Sequence, residues 1–210
     1  MNSASGQPLL AILGAGDSRR MGRPKLLLQT GGVPHLHKIL ETAREAGIQD
    51  YRVACQAAHL RALRGLGLPA SRLHPVPETL RARGPIGSLA SLLAAIRDAA
   101  IRDTHSSPGA SPQLPGYAGL VVWPVDHPRV QVATVQALLV APGNLRVPCH
   151  EGRGGHPVWV GAEHWERLLR LAEEGGTLRD LFHEKQAQVH RLEVDDPGIL
   201  HNLNRPEDLG

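Results

Sequence analysis

A chain of 210 residues that is 41% hydrophobic, 20% charged and carries a formal charge of +3 has the size and balance of one globular domain, which sets the expected domain at 1–210. Its two cysteines, Cys55 and Cys149, can form at most one bridge, so a disulfide-stapled secreted fold is excluded and both are read as reduced, buried thiols. The positive balance is too small for a nucleic-acid surface, and 3% aromatic residues leave little material for base-stacking platforms.

No apolar stretch approaches the roughly 18 residues of a membrane span, and MNSASGQPLLAIL lacks the positive start and long apolar body of a secretory signal. A cytoplasmic location, with no membrane or nucleic-acid partner, is expected. Leu9 to Leu13 is a short apolar run halted by Gly14, as in a buried strand that delivers the chain to a loop. After Pro34, Leu36, Ile39, Leu40 and Ala43 recur at helical spacing, and Gly47 stands where a helix would be capped. Tyr51 to Cys55 reads as a second strand, Ala57 to Arg64 as a helix, and His74 to Val76 as a short strand before a loop through Arg83, Gly84 and Pro85.

Ile86, Leu89, Leu92, Leu93 and Ile96 share one helical face that can pack on a sheet. The stretch 104–118 is rich in Ser, Pro and Gly and is expected to be an exposed, flexible loop. Leu120 to Trp123 is apolar without alternation, as in a central strand covered on both faces. Val130 to Val140 has a helical pattern, Leu145 to Cys149 and Val158 to Val160 are strand-like, and Trp165, Leu168 and Leu169 mark another helix face. Thr177 with Asp180 resembles a capping box, and Val189 to Val194 alternates like a last strand. Strands and helices in alternation predict a three-layer α/β/α sandwich with a mostly parallel sheet, a Rossmann-like fold that binds ligands beyond the carboxyl ends of its strands.

The richest segment is Gly14-Ala15-Gly16-Asp17-Ser18-Arg19-Arg20-Met21-Gly22-Arg23-Pro24-Lys25, directly after the first strand. Three glycines let backbone N–H groups converge on an anion, and the arginines and Lys25 supply charge for a polyphosphate. A P-loop is excluded because Gly22 is followed by Arg23 and Pro24 rather than by Lys and Ser or Thr, and a dinucleotide fingerprint is excluded because Arg19 stands where the third Gly belongs. Glycine and charge content alone fit a solvated surface turn equally well.

GAGDSRRMGRPKLLL resembles the signature loop of the MobA-like nucleotidyltransferases, LAAGxSxRMGxPKLLL. The resemblance implies a nucleotide-diphospho-sugar transferase type of fold over nearly the whole chain. It also implies a nucleotide held by Leu13, Gly14, Ala15 and Gly16, with a triphosphate held by Arg20 and Lys25. Arg83-Gly84-Pro85-Ile86-Gly87-Ser88-Leu89 is similar to the family's base-reading segment, in which Gly84 and Pro85 are like guanylyltransferases and Ser88 is like cytidylyltransferases, so CTP and GTP stay open.

Asp126, at the end of an apolar strand, looks like the family's metal aspartate for Mg²⁺, although Val125 precedes it where the family has Gly. Gly155, His156 and Pro157 resemble a segment that shapes the acceptor side. NLNRPEDL, beginning at Asn202, is similar to the family's closing motif; it implies Asn202 as a second metal ligand and Asn204 at the acceptor, with Arg205 in place of the usual Thr. Cys149, His150 and His156 lack a fourth ligand at a recognised zinc spacing. The implied activity is Mg²⁺-dependent transfer of a nucleotide from a nucleoside triphosphate to a phosphorylated small molecule, possible acceptors including molybdopterin, by a monomer or weak homo-oligomer. The rival reading is a degenerate nucleotide- or pterin-binding relative.

Overall fold

The computed structural model describes residues 6–16, 24–103 and 116–203. In chain order the strands are β1 (Gln7–Leu13), β2 (Gln29–Thr30), β3 (Val33–Pro34), β4 (Asp50–Cys55), β5 (Leu73–Pro75), β6 (Tyr117–Pro124), β7 (Leu145–His150), β8 (Arg153–Gly154), β9 (Val158–Gly161) and β10 (Val189–Glu193). The helices are α1 (His35–Glu45), α2 (Leu60–Gly65), α3 (Glu78–Arg81), α4 (Pro85–Asp103), α5 (Val132–Val140), α6 (Trp165–Glu174) and α7 (Leu178–Glu184).

β1 is fully apolar from Leu9 to Leu13, so both its faces need cover, and its alternate residues divide between two cores. Leu9, Ala11 and Leu13 pack with Leu89, Leu92 and Leu93 of α4 and Leu168 and Leu171 of α6. Leu10 and Ile12 pack with Leu36 and Ile39 of α1, Leu63 of α2 and Val135 and Leu138 of α5. β6 divides in the same way, Leu120 and Val122 to the first core and Val121 and Trp123 to the second. The sheet therefore lies between two helical layers, as the expected α/β/α sandwich requires.

The main sheet runs β10-β7-β9-β6-β1-β4-β5, with β8 beside β7. β1 pairs parallel with β4 and β6, β4 with β5, and β7 with β10, whereas β9 is antiparallel to both β6 and β7. Inserting one reversed strand between two co-directional ones keeps the sheet mostly parallel. The register aligns Leu13 with Ala54 of β4 and with Pro124 of β6, so three central strands end at one edge.

Several boundaries differ from the sequence reading. Ala57 to Arg64 divides into a 3₁₀ turn (Ala57–His59) and α2, and α3 is an added short helix before Gly84. Of the stretch 104–118, residues 104–115 lie outside the described residues, while Tyr117 and Ala118 belong to β6, which is longer than its apolar centre because Gln7 of β1 pairs with Tyr117. The box at Thr177 is complete: the Asp180 amide donates to the Thr177 hydroxyl at 3.3 Å, and the Thr177 amide donates to the Asp180 carboxylate at 2.7 Å. Among the described residues, no helix is long and apolar enough to cross a membrane.

Candidate functional site

At the carboxyl edge of the sheet, the ends of β1 and β6 are joined by a bond from the Val125 amide to the Leu13 carbonyl, 3.1 Å, and the ends of β1 and β4 by one from Gly14 to Ala54, 2.9 Å. The Gly14 N–H is thus committed to the sheet. Its missing Cβ has a packing reason as well: a Cβ at Gly14 would collide with the Leu26 side chain, which is fully buried immediately after Lys25. This contact seats the 3₁₀ turn Lys25–Leu27 beside the strand end. Gly16, by contrast, has open space around its Cα.

Gln56, the first residue after β4, holds the other side of the loop. Its side-chain amide donates to the Ala15 carbonyl at 3.1 Å and reaches the Gly16 carbonyl at 3.4 Å. Because C=O and the following N–H point in opposite directions across a trans peptide, the bond to Ala15 turns the Gly16 N–H away from Gln56.

Asp126 stands two residues beyond the last residue of β6, and its carboxylate meets Lys25 Nζ at 2.8 Å across the edge of the sheet. Leu13, Gly14, Ala15, Gly16, Lys25 and Asp126 line one side of a cleft of roughly 160 Å³, and Gly84, Pro85 and Ser88 from the start of α4 line another. Gly84, in the left-handed region at φ 75°, turns the chain from α3 into α4, and Pro85 opens the helix where a missing N–H costs nothing. The amides of the first helical turn and the N-terminal end of the helix dipole favour an anion there. Arg81 also lines the cleft, one turn before Gly84. It was not singled out from sequence, because an arginine in so short a helix looks like any solvated charge.

The acceptor-side candidates lie behind Asp126. His156 donates its backbone N–H to the Ile199 carbonyl at 3.0 Å, and Gly155 donates to Pro148 at 2.9 Å; a Cβ at Gly155 would run into the Ile199 backbone. Pro157 follows His156, whose ring is 5.1 Å from that of His127, the neighbour of Asp126. None of Gly155, His156 and Pro157 lines the cleft itself. The segment at 201–203 is tied to the same place, since the Leu203 amide donates to the Asp126 carbonyl at 2.9 Å, with the exposed Asn202 just before it. Arg20 and Asn204 lie outside the described residues.

Three histidines surround this carboxylate without adding charge. Burial lowers His127, with Asp126 opposing and Lys25 assisting; burial and then His127 lower His156 to about 4, and burial and then Lys38 lower His35 to about 4. His127 Nε2 is 3.9 Å from Asp126, but a neutral imidazole there makes no ion pair. Lys25 is the cation seen in direct contact with the Asp126 carboxylate. Among the described residues, no three His, Cys, Asp or Glu side chains gather as a metal cage.

Comparison with known proteins gives this geometry its family. Residues 10–190 match the MobA-like NTP transferase domain. The chain is 34% identical over 219 aligned positions to a molybdenum cofactor guanylyltransferase of Rhizobium meliloti, covering 96% of this chain and 88% of that one. It is 26% identical to a probable molybdenum cofactor guanylyltransferase of Opitutus terrae, covering 94% and 91%. Among solved structures it superposes on Rv0371c of Mycobacterium tuberculosis with a TM-score of 0.72 at 25% identity, over 96% of this chain and 95% of the other. A second structure of that protein, in complex with manganese, gives a TM-score of 0.63 at 25% identity over 90% and 88% of the two chains. The cleft at the carboxyl edge of β1 and β6 is thus set in a chain that belongs to the MobA-like NTP transferase family and is a nucleotidyltransferase.

Proposed function

We propose that this nucleotidyltransferase binds CTP or GTP in the cleft between the glycine loop and the start of α4 and transfers the nucleoside monophosphate to the phosphate of molybdopterin or a similar small acceptor. An oxygen of the acceptor phosphate attacks the α-phosphorus in line, the bond to the β-phosphate oxygen breaks, and pyrophosphate leaves. The guanylyltransferase names of the relatives from Rhizobium meliloti and Opitutus terrae favour GTP, and their molybdenum cofactor role favours the pterin acceptor.

The observation that carries this reading is the meeting of Lys25 and Asp126 at 2.8 Å in the same cleft as Gly16, Pro85 and Ser88. The Asp126 carboxylate and the Asn202 side chain offer oxygen donors of the kind that Mg²⁺ and Mn²⁺ prefer, and the bond from Leu203 to Asp126 keeps the two segments adjacent. A divalent ion held there would supply charge neutralisation for the triphosphate. The remaining work falls to the protein. Lys25, with Arg20 from the same loop, takes up negative charge as it develops on the leaving pyrophosphate, while the loop and α4 fix the α-phosphorus for attack. The half-buried segment through Gly155, His156 and Pro157 bounds the side from which the acceptor enters.

A matrix of nucleotides against phosphorylated acceptors, read by pyrophosphate release, tests the assignment. GTP or CTP with molybdopterin is expected to give turnover. The second reading, a relative that binds but does not transfer, draws on Asn202 and Arg205, which depart from the aspartate version and the usual Thr of the family motif. Calorimetric nucleotide binding with no turnover for any acceptor would establish that reading instead.

A further inference from the structure

The Lys25 to Asp126 ion pair constrains how the cleft can fill. Its two side chains are only 24% and 14% exposed, so water screens the contact poorly. On the reading above, on which this inference rests, both groups are needed for something else: the carboxylate for a divalent ion and the ammonium for triphosphate oxygens. They cannot hold each other and their ligands in the same geometry.

We propose that Lys25 stands in for the divalent cation at Asp126 in the ligand-free protein and competes with it for the carboxylate, yielding most readily when metal and triphosphate arrive together. A divalent ion arriving alone has to displace the ammonium from the carboxylate and then bind against the repulsion of that nearby like charge. A triphosphate arriving with the ion gives the displaced ammonium a new partner and bridges both cations. Metal and nucleotide therefore strengthen each other's binding, by one and the same factor in either order. The arrangement also keeps Asp126 neutralised between turnovers, since an ion pair in a poorly hydrated cleft is costly to leave half made.

The sign of one effect separates this exchange from a simple loss of binding groups. Removing Lys25 takes away the competitor, so a metal ion alone should bind more tightly to a variant that cannot use the triphosphate. The test is free Mn²⁺ measured by electron paramagnetic resonance with the full chain, as wild type, Lys25→Met, Lys25→Gln and Asp126→Asn, each with and without CTP or GTP, the Mn²⁺ taken up by nucleotide in a protein-free control being subtracted. Mn²⁺ alone is expected to bind both Lys25 variants about tenfold or more tighter than wild type, to be lost in Asp126→Asn, and to bind wild type much more tightly with nucleotide. Two independent replacements guard against a local packing artefact in either one. Equal or weaker Mn²⁺ binding in both Lys25 variants overturns the exchange while leaving Asp126 as the metal ligand. Undiminished binding of Mn²⁺ alone in Asp126→Asn overturns the metal assignment and the exchange together.

Discussion

Replacing Gly14 by alanine distinguishes two reasons for a glycine at the head of the loop. If the residue is small so that a phosphate can approach, the substitution weakens nucleotide binding and leaves the ligand-free protein intact. The structure supports a different reason. The three atoms nearest to an added Cβ are Cγ and both terminal carbons of Leu26, a fully buried side chain, while the Gly14 backbone is not in the left-handed region. The strain is therefore one of packing, and overpacking of this kind costs about 1–3 kcal/mol. Leu26→Ala alone leaves a cavity and is expected to cost about 2–5 kcal/mol. In the double variant the new methyl occupies part of the vacated space, so its cost should fall short of the sum of the two single costs by about 1–2 kcal/mol, within the usual range for residues in contact. Urea denaturation of the four proteins, with a common slope, measures the cycle. An unchanged denaturation midpoint for Gly14→Ala, or strictly additive costs, would refute the argument that Leu26 dictates Gly14.

Two more predictions follow from neighbouring contacts. Gln56→Leu keeps the bulk and removes the donor to Ala15 and Gly16, so the KM for nucleotide should rise about fivefold to tenfold with the acceptor KM unchanged; an unaltered nucleotide KM in steady-state kinetics would show that these bonds do not hold the loop for binding. His35 and His156 are lowered from 6.5 to about 4 on folding, so the unfolded chain takes up protons on them between those values while the native chain does not. Their contribution is whole above about pH 6.5 and is lost as pH falls towards 4, so the urea midpoint should drop between pH 7 and pH 5, and His35→Gln should flatten that dependence.

The sheet was readable because its central strands are covered on both faces, which forces the unbroken apolar runs Leu9 to Leu13 and Leu120 to Trp123. The direction of β9 was not readable, since Val158 to Val160 carries the same apolar signal whichever way it runs, and only its partners β6 and β7 fix it. The glycine loop, Asp126 and the start of α4 could be brought to one edge in advance because each follows or opens an apolar element. Gln56 and Arg81 could not, being single polar residues whose meaning depends on carbonyls and cleft walls supplied by distant parts of the chain. The same holds for His127 and His156, 29 positions apart yet in ring contact. The packing of Leu26 on Gly14 was hidden for a further reason, because glycine in such a loop already has a sufficient explanation in phosphate approach.

The central claim is that Lys25 and Asp126 act together on a metal-bound triphosphate, and pyrophosphate release by Lys25→Ala and Asp126→Ala, with the acceptor and nucleotide that the wild type uses, tests it most directly. Each variant is expected to turn over roughly a hundredfold or more slowly while remaining folded by circular dichroism. Wild-type rates in both variants would contradict the account.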